Sequence, residues 1–228
     1  LELVVIQVLV LVFSVVVHEV AHGLSAYRLG DDTAYRMGRL TLNPLPHLDP
    51  IGSVLVPLIM AYTVGFPFGW AKPVPVDIRR LNNPRDDHPK VAAAGPASNL
   101  ILAFIFSILL GALVAIWGMP AGGAHGKPTA LGFLFNLFQT GVLINVILAV
   151  FNLLPIPPLD GSWILSRFLP VEMRIRYENL RRYGMMMIFG FMMLMNLTPI
   201  GPMFRSLYMG LATQYIKVAE SIARLGGG

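Results

Sequence analysis

An all-α polytopic membrane protein is the fold class this sequence predicts, and three observations predict it. Of the 228 residues, 55% are hydrophobic and 13% charged, about half the charged share of a soluble domain. Several apolar runs approach or exceed the roughly 20 residues that cross a bilayer as a helix. The breaks between them are rich in Pro, Gly and basic residues. The net charge of +5 then reflects loops that orient the chain, not a nucleic-acid partner. With no cysteine, neither a disulfide nor a thiolate metal site is available.

Five segments are expected to span: Leu1–Leu24, Val91–Trp117, Leu131–Leu154, Met185–Leu197 and Met203–Ile216. The last two join through "TPIGP", a tight turn. A sixth apolar stretch, Ile51–Phe68, is interrupted by Pro57, Gly65 and Pro67 and either crosses or dips in and returns. A small β element is expected after the first helix. If Ile51–Phe68 re-enters, every Lys and Arg except Lys127 and Arg205 falls on one side, and the positive-inside rule makes that side cytoplasmic. "EMRIRYENLRRYG" is basic and partly amphipathic, suited to lie on an anionic leaflet. The chain thus divides into a core at 1–165 and, at 166–228, a basic surface stretch with a C-terminal helical hairpin. No separate soluble domain is expected.

The chemistry is concentrated in "VVVHEVAHGL", residues 15–24. Residues four apart stack on one helix face, so His18 and His22 can both direct a ring nitrogen at one ion. Glu19 stands beside that ion, where it can take a proton from water. This is the mechanical content of H-E-x-x-H, a zinc site with a general base. Snorkelling or pore-lining histidines paired with a glutamate are the bland alternative. Charged groups at bilayer depth cost about 2.5–3.5 kcal/mol each and are functional by default, which favours the metal.

A catalytic zinc normally has three protein ligands and one open position. Asp160 is the candidate third ligand, in "NVILAVFNLLPIPPLDGSWIL". Pro155, Pro157 and Pro158 break the helix before it, and Gly161 permits a sharp turn that aims the carboxylate. An Asp capping the next helix is the structural alternative. His47, His88 and His125 lie in Pro- or Gly-rich loops; His88 reads as a solvated loop residue.

Four motifs in order, "HEVAHG", "FGWAKPVPVD", "AAAGPASNL" and "FNLLPIPPLDG", resemble the site-2 protease family of intramembrane zinc metalloproteases, in its minimal prokaryotic branch. The resemblance implies that His18, His22 and Asp160 hold one Zn2+ per chain and that Glu19 is the base. It also implies a multi-pass protein of the prokaryotic cytoplasmic membrane, with its site towards the cytoplasm. The substrate would be a transmembrane protein or peptide, cut in regulated intramembrane proteolysis. A homo-oligomer or a regulatory membrane partner is compatible with it. Closing the site needs His22 and Asp160 at one depth, hence an even number of crossings between them. Val91–Trp117 and Leu131–Leu154 supply two, which favours a re-entrant Ile51–Phe68.

Asn99, Asn145 and Asn152 are amides in apolar helices, and each needs a partner when buried. The family resembled carries asparagines before its P-x-x-x-x-D-G turn, which implies a substrate or oxyanion role for Asn152 first and Asn145 second. Interhelical hydrogen bonding is the alternative. His47 is either a gating or accessory residue or a structural histidine in a turn. A non-proteolytic zinc protein, carrier or pseudo-enzyme, is the rival reading of the whole. No Asp or Glu occurs between Asp87 and Asp160, which argues against a transport path, and the intact Glu19 argues against a dead enzyme.

Overall fold

The computed structural model describes residues 2–49, 52, 59, 72–120 and 129–226. Eight α-helices order the described residues: α1 (Glu2–Arg28), α2 (Thr33–Arg36), α3 (Pro84–Trp117), α4 (Ala130–Asn152), α5 (Asp160–Ser166), α6 (Val171–Asn179), α7 (Gly184–Leu197) and α8 (Ile200–Gly226). Short 3-10 turns occupy Leu45–His47, Ile78–Arg80 and Leu180–Tyr183.

Local chemistry explains the ends. α1 stops in a Schellman motif: Asp31 N–H donates to Ala26 O, Gly30 N–H donates to Tyr27 O, and Gly30 adopts φ 105°, a region glycine enters at little cost. Pro84 opens α3, where a missing N–H costs nothing. Thr129 caps α4, its hydroxyl accepting from Gly132 N–H at 3.0 Å.

The contacts fix the directions of the helices. Residues 22, 18 and 14 of α1 meet residues 91 and 99 of α3 in reverse order, so the two are antiparallel. Ser14 also meets Asn145 of α4, and Asp160, just after α4, meets His18 and His22; α1 and α4 are therefore parallel. Ala212 packs with Ala103 and Val146, and Ala219 with Leu110, Leu113 and Phe135. α8 thus runs parallel to α3 and antiparallel to α4. Close approach is bought with small residues: a Cβ on Gly111 would stand 2.6 Å from Ala219 O, and one on Gly141 2.5 Å from the Phe106 ring.

The layout of polarity suits a bilayer. Ser14, Asn99, Ser107 and Asn145 are fully buried, while Leu3, Val4, Leu9, Phe13, Ile101 and Phe104 face outwards. Three helices are long and apolar enough to cross, α1, α3 and α4, or four if the bent pair 171–197 and α8 forms one span.

That replaces the five spans expected. α7 has 14 residues, short of a bilayer, and 171–197 meets α8 at 94° where an antiparallel hairpin was expected. The break at Thr198 and Pro199 is legible in sequence; its angle is set by packing on α3 and α4. Among the described residues there is no strand, so the expected β element is not seen. Residues 72–77 form no regular element: Pro73 and Pro75 lack N–H groups, and beyond the Lys72 N–H bond to His47 O the segment bonds to side chains. The re-entrant reading of Ile51–Phe68 and His125 fall outside the described residues, apart from Gly52 and Ile59.

Candidate metal centre

His18 and His22 sit one turn apart on α1, six or more residues before its end. Their Nε2 atoms are 3.0 Å apart. Asp160 is the first residue of α5, and its carboxylate reaches both: Oδ2 lies 3.2 Å from His18 Nε2 and Oδ1 3.4 Å from His22 Nε2. These three are the group able to hold a metal ion among the described residues. Burial works against ionisation of Asp160, but the two imidazoles opposite outweigh it and hold the carboxyl below its ordinary value, at about 2. It is therefore a carboxylate, the ligand form.

Three features test the fit to zinc. Tetrahedral donors on bonds of about 2.0–2.1 Å lie roughly 3.3 Å apart; here the two imidazole nitrogens are 3.0 Å apart, and each has one carboxylate oxygen of Asp160 at 3.2 or 3.4 Å. Each Nδ1 faces an acceptor, Asn99 Oδ1 at 2.6 Å for His18 and Val91 O at 2.7 Å for His22. A backbone carbonyl only accepts, so His22 carries a proton on Nδ1, which leaves Nε2, facing Asp160, as the nitrogen available to a metal. Finally, Asp160 Oδ2 is buried without a hydrogen-bond donor of its own.

The rings are cradled by α3. A Cβ on Gly95 would stand 2.4 Å from His22 Nε2 and 2.6 Å from His18 Cε1. Val91, Gly95 and Asn99 recur every four residues, one stripe of α3 facing the metal stripe of α1. The small residues of "AGPASNL" thus admit imidazoles as well as a neighbouring backbone. Asn99 stands out in the sequence as an amide needing a partner but without this role; its i, i+4 spacing from Gly95 was the available signal.

Glu19 lies beside the triad, half-buried, with Oε2 accepting Val74 N–H at 2.7 Å. Val74 belongs to the segment 72–77, which is tied down along its length. Lys72 N–H donates to His47 O, and Arg39 Nη2 donates to the carbonyls of Lys72 and Pro73 at 2.8 and 3.3 Å. At the other end, Asp77 N–H donates to Asp31 Oδ2 at 2.7 Å. Val74 supplies the one N–H available between two prolines, and no feature of the sequence marked it.

Gly161 is required for a reason other than the one expected. Its φ is not positive; instead, a Cβ there would stand 2.1 Å from Leu153 O. Close approach of α5 to the end of α4 is what places Asp160. Asn145 is fully buried, and both its amide hydrogens are committed, to Ser14 Oγ at 2.8 Å and Gly141 O at 2.9 Å, leaving none for a substrate. Asn152 is half-buried at the end of α4, with Nδ2 donating to Leu148 O at 2.9 Å.

His47 is 1% exposed, its Nε2 donating to Thr41 O at 2.9 Å, and it pins the 41–49 loop to residue 72. His88 is not a solvated loop residue: it lies in α3, its ring 4.1 Å from that of Trp163. The Arg181 guanidinium covers the Trp163 ring at 3.0 Å.

Two imidazoles and a carboxylate, with a glutamate next to the first histidine, form the donor set of a catalytic zinc hydrolase, here with the histidine pair on a helix long and apolar enough to cross a membrane. The family model "Peptidase family M50" matches residues 61–197, and the chain belongs to this family, that of the site-2 proteases. Its activity is that of a zinc metalloprotease, and its cofactor is Zn2+. Over 194 residues the chain is 41% identical to "Putative zinc metalloprotease YwhC" of Bacillus subtilis, covering 85% of this chain and 81% of that one. It is 33% identical over 178 residues to "Putative zinc metalloprotease Rip2" of Mycolicibacterium smegmatis, covering 77% and 61%. A shorter match, 40% over 81 residues, joins it to "Putative zinc metalloprotease MJ0611" of Methanocaldococcus jannaschii, covering 36% and 35%. No solved structure matches the chain.

Proposed function

We propose that this multi-pass protease cleaves a peptide bond of a transmembrane substrate within the bilayer, with His18, His22 and Asp160 holding the zinc and Glu19 as base. The observation that carries this reading is the position of the donor set. It is built between α1, α3 and the end of α4, helices whose outer faces are exposed and apolar.

Bound there, zinc would supply a Lewis acid that acidifies water and polarises the scissile carbonyl. The chain's own groups do the rest. The Val74 N–H holds one oxygen of Glu19, so the carboxylate stays oriented beside the triad. Its other oxygen takes the proton of the attacking water and returns it to the leaving amine. Asn152, at the end of α4, would meet the substrate strand or the carbonyl oxygen.

The site lies at the end of the bundle that also carries Arg28, Arg36, Arg39, Arg79, Arg80 and Arg85. This supports a cytoplasmic site and a role in regulated proteolysis that releases a factor to that side. The test is zinc content and cleavage of a single-span substrate in detergent. Glu19→Gln should keep the metal and lose cleavage, and Asp160→Ala should weaken the metal. A Glu19→Gln protein that still cleaved would refute the assigned base.

A further inference from the structure

Behind His18 lies a chain of polar groups that none of the reaction steps uses. Asn99 and Asn145 are each 0% exposed, as is Ser14, and the three come from α3, α4 and α1. Asn99 Oδ1 faces His18 Nδ1 at 2.6 Å. Asn99 Nδ2 faces Asn145 Oδ1 at 2.9 Å and Ser14 O at 3.4 Å. Asn145 Nδ2 faces Ser14 Oγ at 2.8 Å and Gly141 O at 2.9 Å.

The direction of every bond follows from the two backbone carbonyls, which can only accept. Gly141 O demands a donor, so the amide nitrogen of Asn145 points at it and the amide oxygen at Asn99. Asn99 must then present its own nitrogen to Asn145, a choice that Ser14 O reinforces. Its oxygen is left for His18. An amide oxygen has no hydrogen to give, so His18 must carry its proton on Nδ1, and Nε2 becomes a bare lone pair aimed at His22 and Asp160. Both amides use both hydrogens, and reversing either would set donor against donor or acceptor against acceptor. In a buried site each group left unpaired gives up its hydration with nothing in return.

We propose that Asn99 and Asn145 are positioning residues, a relay in which the carbonyls of Gly141 and Ser14 fix the tautomer of His18 and so prepare it as a metal ligand. The inference rests on His18 being a zinc ligand and is independent of proteolysis. It also gives the buried amide of α4 a task the sequence alone left open. Outer partners of metal-bound histidines typically change metal affinity about 10–100-fold.

The experiment uses the full chain in detergent with 15N-labelled histidine. Nitrogen shifts of His18 in metal-free protein, at a pH where the ring is neutral, report its tautomer; a His18→Asn variant assigns the signal. Wild type should show the proton on Nδ1. Asn145→Leu should populate the Nε2–H form and weaken zinc about tenfold, measured by chelator competition. In an Asn99→Leu background the same change should add little, because the relay is already cut. Ser14→Ala, which removes one acceptor and little volume, should act in the same direction more weakly, and serves if the leucine variants do not fold. Wild type with its proton on Nε2, or a folded Asn145→Leu with unchanged tautomer and zinc affinity, would overturn the relay. Failure of wild type to bind zinc at all would instead sink the reading of the site.

Discussion

Replacing Gly95 with alanine adds one methyl group at the point where α3 cradles both imidazoles. That methyl would stand 2.4 Å from His22 Nε2, 2.5 Å from His22 Cε1 and 2.6 Å from His18 Cε1. Comfortable contacts between such atoms run at about 3.5 Å, so the rings or the helices must give by roughly 1 Å. The rings have little freedom: each Nδ1 is tied to an acceptor on α3 itself. Misplacements of this size cost reacting groups about 100-fold, and the expected loss in zinc affinity is about 10–100-fold. The overlap is present with or without the metal, and overpacking of this kind costs about 1–3 kcal/mol against up to about 1 kcal/mol gained by Gly→Ala in a helix, so the zinc-free protein should melt somewhat below wild type and the zinc-bound protein further below it. Chelator competition gives the affinity, and thermal unfolding with and without zinc separates the two effects. Wild-type zinc affinity in Gly95→Ala would show that the cradle is not tight and that the donor geometry is misread.

Other consequences are equally direct. Gly161→Ala should lower both zinc affinity and stability, the latter by about 1–3 kcal/mol, because its Cβ collides with the backbone of Leu153; a melting curve and a zinc titration check it. Asp31→Ala removes the carboxylate that receives Thr33 N–H and Asp77 N–H. It should destabilise the protein by about 1.5–3 kcal/mol and reduce cleavage more than zinc content, since the strap that holds Glu19 is loosened. Asp160 is held below its ordinary value of 3.8, at about 2. Its carboxylate is thus present in full above pH 3.8 and lost only as pH falls through about 2, so zinc content followed against pH should show no step between pH 5 and 4. Because the chain has no cysteine, single-cysteine labelling can read topology. Arg85→Cys and Arg224→Cys should react from opposite sides of the membrane if α8 crosses parallel to α3.

Much of the site was legible because its grammar is local. The i, i+4 pair of His18 and His22 needs only a helix, and Asp160 stands out as an acid ending an apolar run. What sequence could not supply were partners distant in the chain. Asn99 was visible as an amide needing a bond, but its bond to His18 spans 81 positions. Gly95 and Gly161 were visible as small residues, and only the fold says that rings fill the space beside one and a backbone the space beside the other. The span count failed for a related reason. Hydrophobicity marks α7 and α8 alike, but 14 residues and a 94° bend are decided by what the helices pack against. The expected β element after the first helix has no counterpart at residues 72–77, where side chains of Glu19, Arg39 and Asp31 take the places a partner strand would have filled.

The three helices that share the Ser14, Asn99 and Asn145 bonds are made by the ribosome in sequence, and the first of them is born with its polar groups unanswered. α1 alone would hold His18, Glu19 and Ser14 in lipid with nothing to receive them, at a cost of the order of 2.5–3.5 kcal/mol for the charge alone. Relief arrives with α3, then α4, and the last donor only with Asp160. A nascent chain therefore exists for most of its synthesis without a complete donor set, because Asp160, the last of the three, follows α4.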